Sequence, residues 1–165
     1  MRIWKRRSIL SLLAVGVLAT LYWLAFWMPR GTWFQLYDRE FETVILEVPA
    51  GPGDKLGLEI EHSAEFIPWF EFYTVTEDLQ FNLDAIAVGG YGAGVPAGME
   101  VPHRIENGLV WMEEINTLWP ELKWLTSDTY MKGLTLNGEE IFDFRTLPNG
   151  SKIRGAIITK RGFFS

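Results

Sequence analysis

The run from Ser8 to Met28 contains no charged side chain, and it constrains the fold of this chain more than any other feature. At a rise of about 1.5 Å per residue, 21 helical residues span roughly 30 Å, which is the thickness of the hydrocarbon core of a bilayer. All of the acidic residues follow Pro29. The sequence therefore predicts one N-terminal transmembrane helix followed by a separate domain with a charged surface.

Basic residues precede this run at four positions, namely Arg2, Lys5, Arg6 and Arg7. Such residues keep the adjoining end of a membrane helix in the cytoplasm. We therefore expect a single-pass protein of the inner (cytoplasmic) membrane, with its N-terminus in the cytoplasm and its C-terminal domain extracytoplasmic, or periplasmic in a bacterium. A cleaved signal peptide ending at Val17-Leu18-Ala19 is the alternative, but the bulky aromatic residues that follow favour an uncleaved signal anchor.

The composition excludes several classes of function. The chain carries 15 basic and 21 acidic residues and a formal charge of −6, whereas binding to nucleic-acid phosphates requires a cationic surface, so we expect no nucleic-acid partner. The sequence contains no cysteine, which excludes disulfide frameworks, thiolate nucleophiles and cysteine-ligated metal sites.

Beyond the apolar run, the sequence pattern is that of short strands. Apolar and polar side chains alternate in Leu58–His62 and Phe81–Ile86, which predicts half-buried strands. Further runs rich in β-branched and aromatic residues predict strands at Thr43–Val48, Phe70–Val75, Leu109–Met112, Leu122–Leu125, Leu134–Leu136, Ile141–Phe144 and Ile153–Thr159. Asn-Gly pairs at 107–108, 137–138 and 149–150 favour two-residue hairpin turns.

The predicted fold is therefore mainly β, an antiparallel β-sandwich or barrel-like domain preceded by one transmembrane helix. We divide the chain into three segments. Residues 1–29 are the cytoplasmic tip and membrane anchor, residues 30–55 a membrane-proximal segment with the first strand, and residues 56–165 the extracytoplasmic β-domain.

Polar groups are concentrated between His62 and Glu71. If His62 continues the inward-facing positions of the strand at Leu58, its imidazole needs a buried partner, and Glu71 on the returning strand is the candidate. Ser63 falls on the opposite face from His62, so the two residues do not form a nucleophile–base pair. His62, Ser63, Glu65 and Glu71 are candidates for a ligand site or for a structural cluster.

Histidine occurs once more, at position 103. Neither a triad of Ser63, His103 and an acid nor a metal site that combines His103 with His62 has a recognised spacing. The sequence accordingly predicts no catalytic residue, metal or cofactor. An extracytoplasmic enzyme or metal-binding module that uses His62, Glu65 and Glu71 stays open as the alternative function.

A glycine-rich segment at residues 89–98 is the second candidate region. Residues 92–97 satisfy the G-x-G-x-x-G/A pattern, but the glycine and proline that follow prevent the helix that a dinucleotide site requires. We interpret the segment as a tight connection between sheets or as a binding loop. In the latter, Tyr91, Gly92 and Gly94 would offer backbone amides to a ligand.

Arg104 follows this segment and is the third candidate. A guanidinium offers paired donors that match a carboxylate, so Arg104 could receive an anionic ligand. A surface salt bridge is the alternative.

These residues also resemble those of a known family. The resemblance covers residues 56–159 and is carried by His62-Ser63-Ala64-Glu65, Pro68, Glu71, Tyr91-Gly92-Ala93-Gly94, Asn107-Gly108, Trp111, Glu121-Leu122 and the hairpin from Leu134 to Ile141. The chain is similar to an uncharacterised bacterial family of small exported or anchored domains, whose members are often encoded beside TRAP transporters of the TAXI class. The resemblance implies an accessory or binding domain of a transporter for small organic anions, with its membrane subunits or its solute-binding protein as partners.

Overall fold

The computed structural model describes residues 2–26, 29–62, 66–90 and 101–161, and of residues 2–11, 29, 30 and 161 the backbone alone. The chain forms two compact units, one of Met1–Thr32 with Thr159–Ser165 and the other of Trp33–Ile158. The first unit contains helix α1, Arg2–Phe26. Among the described residues we find no helix that is both long enough and apolar enough to cross a membrane.

The rest of the described chain forms two antiparallel sheets. The smaller sheet has the strand order β2-β1-β12-β9, with β1 at Pro29–Asp38, β2 at Thr43–Pro49, β9 at Leu122–Leu125 and β12 at Lys152–Arg161. The larger sheet has the order β11-β10-β3-β4-β5-β7-β6, and β8 also pairs with β5. Its strands are β3 Lys55–Glu61, β4 Pro68–Val75, β5 Phe81–Val88, β6 His103–Glu106, β7 Leu109–Met112, β8 Thr117–Trp119, β10 Met131–Leu136 and β11 Glu139–Asp143.

The mainly β, antiparallel fold predicted from the sequence is thus confirmed, as two sheets rather than one closed barrel. The observed bounds of β7 and β9 are those predicted. The sequence analysis missed β1, β6 and β8 as strands. Every residue of β6 and of β8 is exposed, so these strands have no alternation of buried and exposed positions that a pattern could reveal.

Two of the three Asn-Gly pairs form hairpin turns, and the third does not. Asn107-Gly108 joins β6 to β7 with φ of 54° and 77°, and Asn137-Gly138 joins β10 to β11 with φ of 53° and 85°, as predicted for hairpin turns. The prediction of a two-residue hairpin turn at 149–150 was wrong. Of that pair only Gly150 has positive φ, and the Asn149 Oδ1 instead accepts a hydrogen bond from the backbone N–H of Asp128 at 2.6 Å.

Both sheets contribute to one hydrophobic core. Phe34 of β1 is fully buried, and its ring meets that of Phe81 of β5 edge to face, with 6.2 Å between centroids. Leu134 of β10 and Phe144, in the 3-10 turn that follows β11, are also fully buried. The inner face of each sheet is therefore covered by side chains of the other.

Gly155 lies where aromatic rings approach the backbone of β12. A Cβ atom at this position would stand 3.0 Å from the ring of Trp124 and 3.1 Å from Cε2 of Phe34. The Trp124 ring also packs edge to face against Phe144, with 5.6 Å between centroids. The absence of a side chain at Gly155 therefore lets the Trp124 ring approach the backbone of β12 closely.

The outermost strands of the larger sheet, β6 and β11, are both rich in charge. Arg104 and Glu106 lie on β6, and β11 contains Glu139, Glu140 and Asp143.

Candidate functional site

A cleft of about 430 Å³ is lined by β3, β4, β9 and the residues that precede β10. Its lining includes His62 at the end of β3, Trp69 and Glu71 of β4, Trp124 of β9, and Tyr130. A second cavity of about 540 Å³ shares Glu71, Lys123 and Trp124 with the first and is lined further by Tyr73 and residues 119–122. We call the two cavities together the β9 cleft.

Glu71 is held in the β9 cleft by its neighbours on the same strand. Side chains two residues apart on a strand share a face, so Trp69, Glu71 and Tyr73 stand side by side on β4. The indole N–H of Trp69 donates to Oε1 of Glu71 at 3.2 Å, and the hydroxyl of Tyr73 donates to Oε2 at 2.5 Å. Each carboxylate oxygen therefore has one neutral donor that fixes its direction.

The structure gives Glu71 other partners than the sequence analysis predicted. Its hydrogen bonds come from Trp69 and Tyr73, and the ring of His62 stacks on Trp69 with 5.8 Å between centroids. His62 lies beyond the last residue of β3, where its backbone N–H bonds to the carbonyl of Ile67. His62 and Glu71 nevertheless both line the β9 cleft.

The other carboxylates of the β9 cleft are paired with cations. Nζ of Lys132 lies 3.4 Å from Glu61, and Nζ of Lys123 lies 2.5 Å from Glu121. The hydrogen bond from Lys123 lowers the pKa of Glu121. In the described part of the chain, no lysine or arginine forms an ion pair with Glu71.

We expect Tyr73 to make the stability of the fold decrease with rising pH in the alkaline range. Burial raises the pKa of Tyr73, and the charge of Glu71 and the hydrogen bond to it act in the same direction. The unfolded chain releases this proton near pH 10 and the folded chain retains it. The contribution of Tyr73 to stability is therefore complete below about pH 10 and falls above it by up to about 1.4 kcal/mol per pH unit.

Chemical denaturation between about pH 8 and pH 11.5 measures this effect, with Tyr73→Phe as the variant that has no proton to lose. The free energy of unfolding should fall less steeply with pH in the variant. Parallel pH profiles for the two proteins would contradict the assignment.

Arg104 lies on β6 in contact with two acidic residues. Its Nε donates to Glu113 at 3.1 Å, it forms a second ion pair with Glu106, and its guanidinium lies 4.8 Å from the ring centre of Trp111. The hydrogen bonds to Glu106 and Glu113 raise the pKa of Arg104. The guanidinium thus takes part in the surface ion pair that the sequence analysis left as the alternative to ligand binding.

The remaining candidates, Ser63, Glu65, Tyr91, Gly92 and Gly94, lie outside the described residues. Within residues 2–26, 29–62, 66–90 and 101–161, no group of three or more histidine, aspartate or glutamate side chains is arranged to hold a metal ion. The alternative function, an enzyme or metal-binding module of His62, Glu65 and Glu71, stays a prediction.

Sequence reasoning missed several residues of the β9 cleft, among them Trp69, Tyr73, Trp124 and Tyr130. The two-residue period of a strand could have placed Trp69 and Tyr73 on the same face as Glu71, because each lies two residues from it. Trp124 has no such signal, since β9 belongs to the other sheet and pairs with β12.

The chain matches a known protein family. Residues 56–142 match the model of a family described as a domain of unknown function (DUF1850). This match confirms the resemblance to an uncharacterised domain family, and the matched range includes every residue that lines the β9 cleft. No curated protein and no solved structure matches the chain.

Proposed function

The chain belongs to the DUF1850 family of domains of unknown function, and from this premise we propose that it is a membrane-anchored extracytoplasmic binding domain, accessory to a transporter. The β9 cleft is the observation that carries the proposal. Ligand sites are concave and mainly apolar, with a few oriented polar groups and volumes of about 300–1,000 Å³. The β9 cleft has this size and composition, with Glu71 as its oriented polar group.

The proposed anchor is the N-terminal helix. Its support is the uncharged run of residues 8–28 and the four basic residues that precede it. The large apolar side chains of α1 are exposed on every side of the helix, at Leu12, Leu13, Val15, Val17, Leu18, Leu21, Tyr22, Trp23, Leu24 and Phe26. A helix that is apolar all round suits a lipid environment. In the proposed orientation the β-domain lies on the periplasmic side.

The proposed partner is a TRAP transporter of the TAXI class that takes up small organic anions. The support is the resemblance of residues 56–159 to domains encoded beside such transporters. Anchoring in the same membrane raises the effective concentration of the domain for the transporter, so that a weak contact suffices. The domain would contact the membrane subunits, the solute-binding protein, or both.

Co-purification tests this proposal. The full chain, tagged at its C-terminus, is extracted in a mild detergent from cells that also produce the transporter, and we expect its subunits or the solute-binding protein to be recovered with it. The control is residues 1–29 fused to an unrelated domain, which should recover neither. Repeated recovery of the chain alone, under conditions that keep the transporter assembled, would refute the proposal.

A further inference from the structure

Glu71 is the carboxylate of the β9 cleft that forms no ion pair with a lysine or arginine of the described residues. The two other carboxylates that line the cleft are paired with cations, Glu61 with Lys132, and Glu121 with both Lys123 and Arg154. Within the described ranges, the donors to Glu71 are the indole N–H of Trp69 and the hydroxyl of Tyr73. Neutral donors orient a carboxylate, but they leave its full charge in place.

Aromatic rings surround this carboxylate. Trp69, Trp124 and Tyr130 line the same cavity as Glu71, and His62 stacks on Trp69. The face of an aromatic ring carries the negative part of its quadrupole and attracts cations, most strongly when water is excluded. Aromatic side chains and a carboxylate that line one cavity therefore both favour a cationic ligand over an anionic one.

We propose that the β9 cleft binds a small organic ammonium ion, with its charged head beside Glu71 and against the rings of Trp69 and Trp124. This inference rests on the proposed function as a binding domain, and it names the class of ligand. An organic anion would meet the same carboxylate and the same ring faces unfavourably. The ligand of the β9 cleft is therefore chemically distinct from the anion that the proposed transporter carries.

Two probes of the same shape, one charged and one neutral, isolate the contribution of the ligand's charge to binding. Choline and its neutral isostere 3,3-dimethylbutan-1-ol differ in the quaternary nitrogen, which is carbon in the alcohol. Each is titrated into the full chain in a polyoxyethylene detergent, which supplies neither charge nor a choline headgroup, with the indole N–H signals of the tryptophans as the readout. We expect choline to bind at least about tenfold more tightly than the alcohol.

Two variants assign this preference to one residue. Glu71→Gln removes the charge and keeps the shape of the side chain, so it should abolish the preference for choline. Glu59→Gln is the matched control, because Glu59 is an exposed carboxylate of β3 that does not line the β9 cleft. Should Glu71→Gln fail to fold, the comparison of the two probes on the unaltered chain decides by itself.

Three results would overturn the inference. Equal affinity for choline and the alcohol would mean that the β9 cleft recognises shape alone. Succinate is titrated in the same way, and tighter binding of succinate than of choline would mean that the cleft selects anions. Binding of none of the probes would exclude an ammonium ligand of this size. All three leave the proposed function standing, because that is tested separately by co-purification with the transporter.

Discussion

Replacing Phe34 with alanine is expected to lower the free energy of unfolding by about 3–5 kcal/mol. Phe34 is 0% exposed and packs edge to face against Phe81 of the opposite sheet. The substitution therefore removes apolar area from the core and leaves a cavity that both sheets border. Because close-packed cores collapse only partly around a deleted ring, the cavity adds to the loss of transfer free energy.

Chemical denaturation followed by circular dichroism measures this loss. Phe41→Ala is the matched control, since Phe41 lies in the turn between β1 and β2 and is 71% exposed. The control should change the free energy of unfolding by no more than about 0.5 kcal/mol. Similar losses for the two variants would mean that Phe34 does not hold the sheets together.

Gly155→Ala has the second largest expected effect, a loss of about 1–3 kcal/mol in the free energy of unfolding. The new methyl group would lie 3.0 Å from the Trp124 ring, which is closer than carbon atoms pack without strain. Displacing the Trp124 ring would disturb its edge-to-face contact with Phe144. This close contact is relieved only if the backbone of β12 or the ring of Trp124 moves.

Gly133→Ala supplies the comparison for this prediction. At Gly133 of β10 the nearest atom to a new Cβ is the backbone oxygen of Phe142 at 3.8 Å, an ordinary contact. We expect this variant to stay within about 0.5 kcal/mol of the parent or to gain slightly, because alanine restricts the unfolded chain. Thermal or chemical unfolding measures the stability of both variants. If the Gly155→Ala protein is as stable as the Gly133→Ala protein, the predicted strain between a Cβ at position 155 and the Trp124 ring is refuted.

Much of the fold could be predicted from the sequence because the signals are local. β7 alternates buried and half-buried positions, and the turns at Asn107-Gly108 and Asn137-Gly138 depend on two residues each. Asn149-Gly150 shows the limit of such signals. The same dipeptide there serves a different connection, because a 3-10 turn precedes it and Asn149 bonds to the loop at Asp128.

The candidate site could be predicted only in part. His62 and Glu71 were recognised as polar residues near one another, and the structure places both in the β9 cleft. The opposite wall, which includes Trp124, comes from a strand more than 50 residues further along the chain and in the other sheet. That arrangement depends on the pairing of β9 with β12, where Leu122 faces Gly155, and no local pattern encodes it.

The charged outer strands of the larger sheet bear on how copies of this chain behave when they are crowded. A free strand edge is a template for joining another sheet, and charged side chains oppose such joining. Glu139 and Glu140 place negative charge on this edge, and two copies that met along β11 would bring these charges together. Proteins held on one membrane surface meet edge to edge far more often than in solution, so this charge protects the domain against aggregation where the proposed anchor would concentrate it.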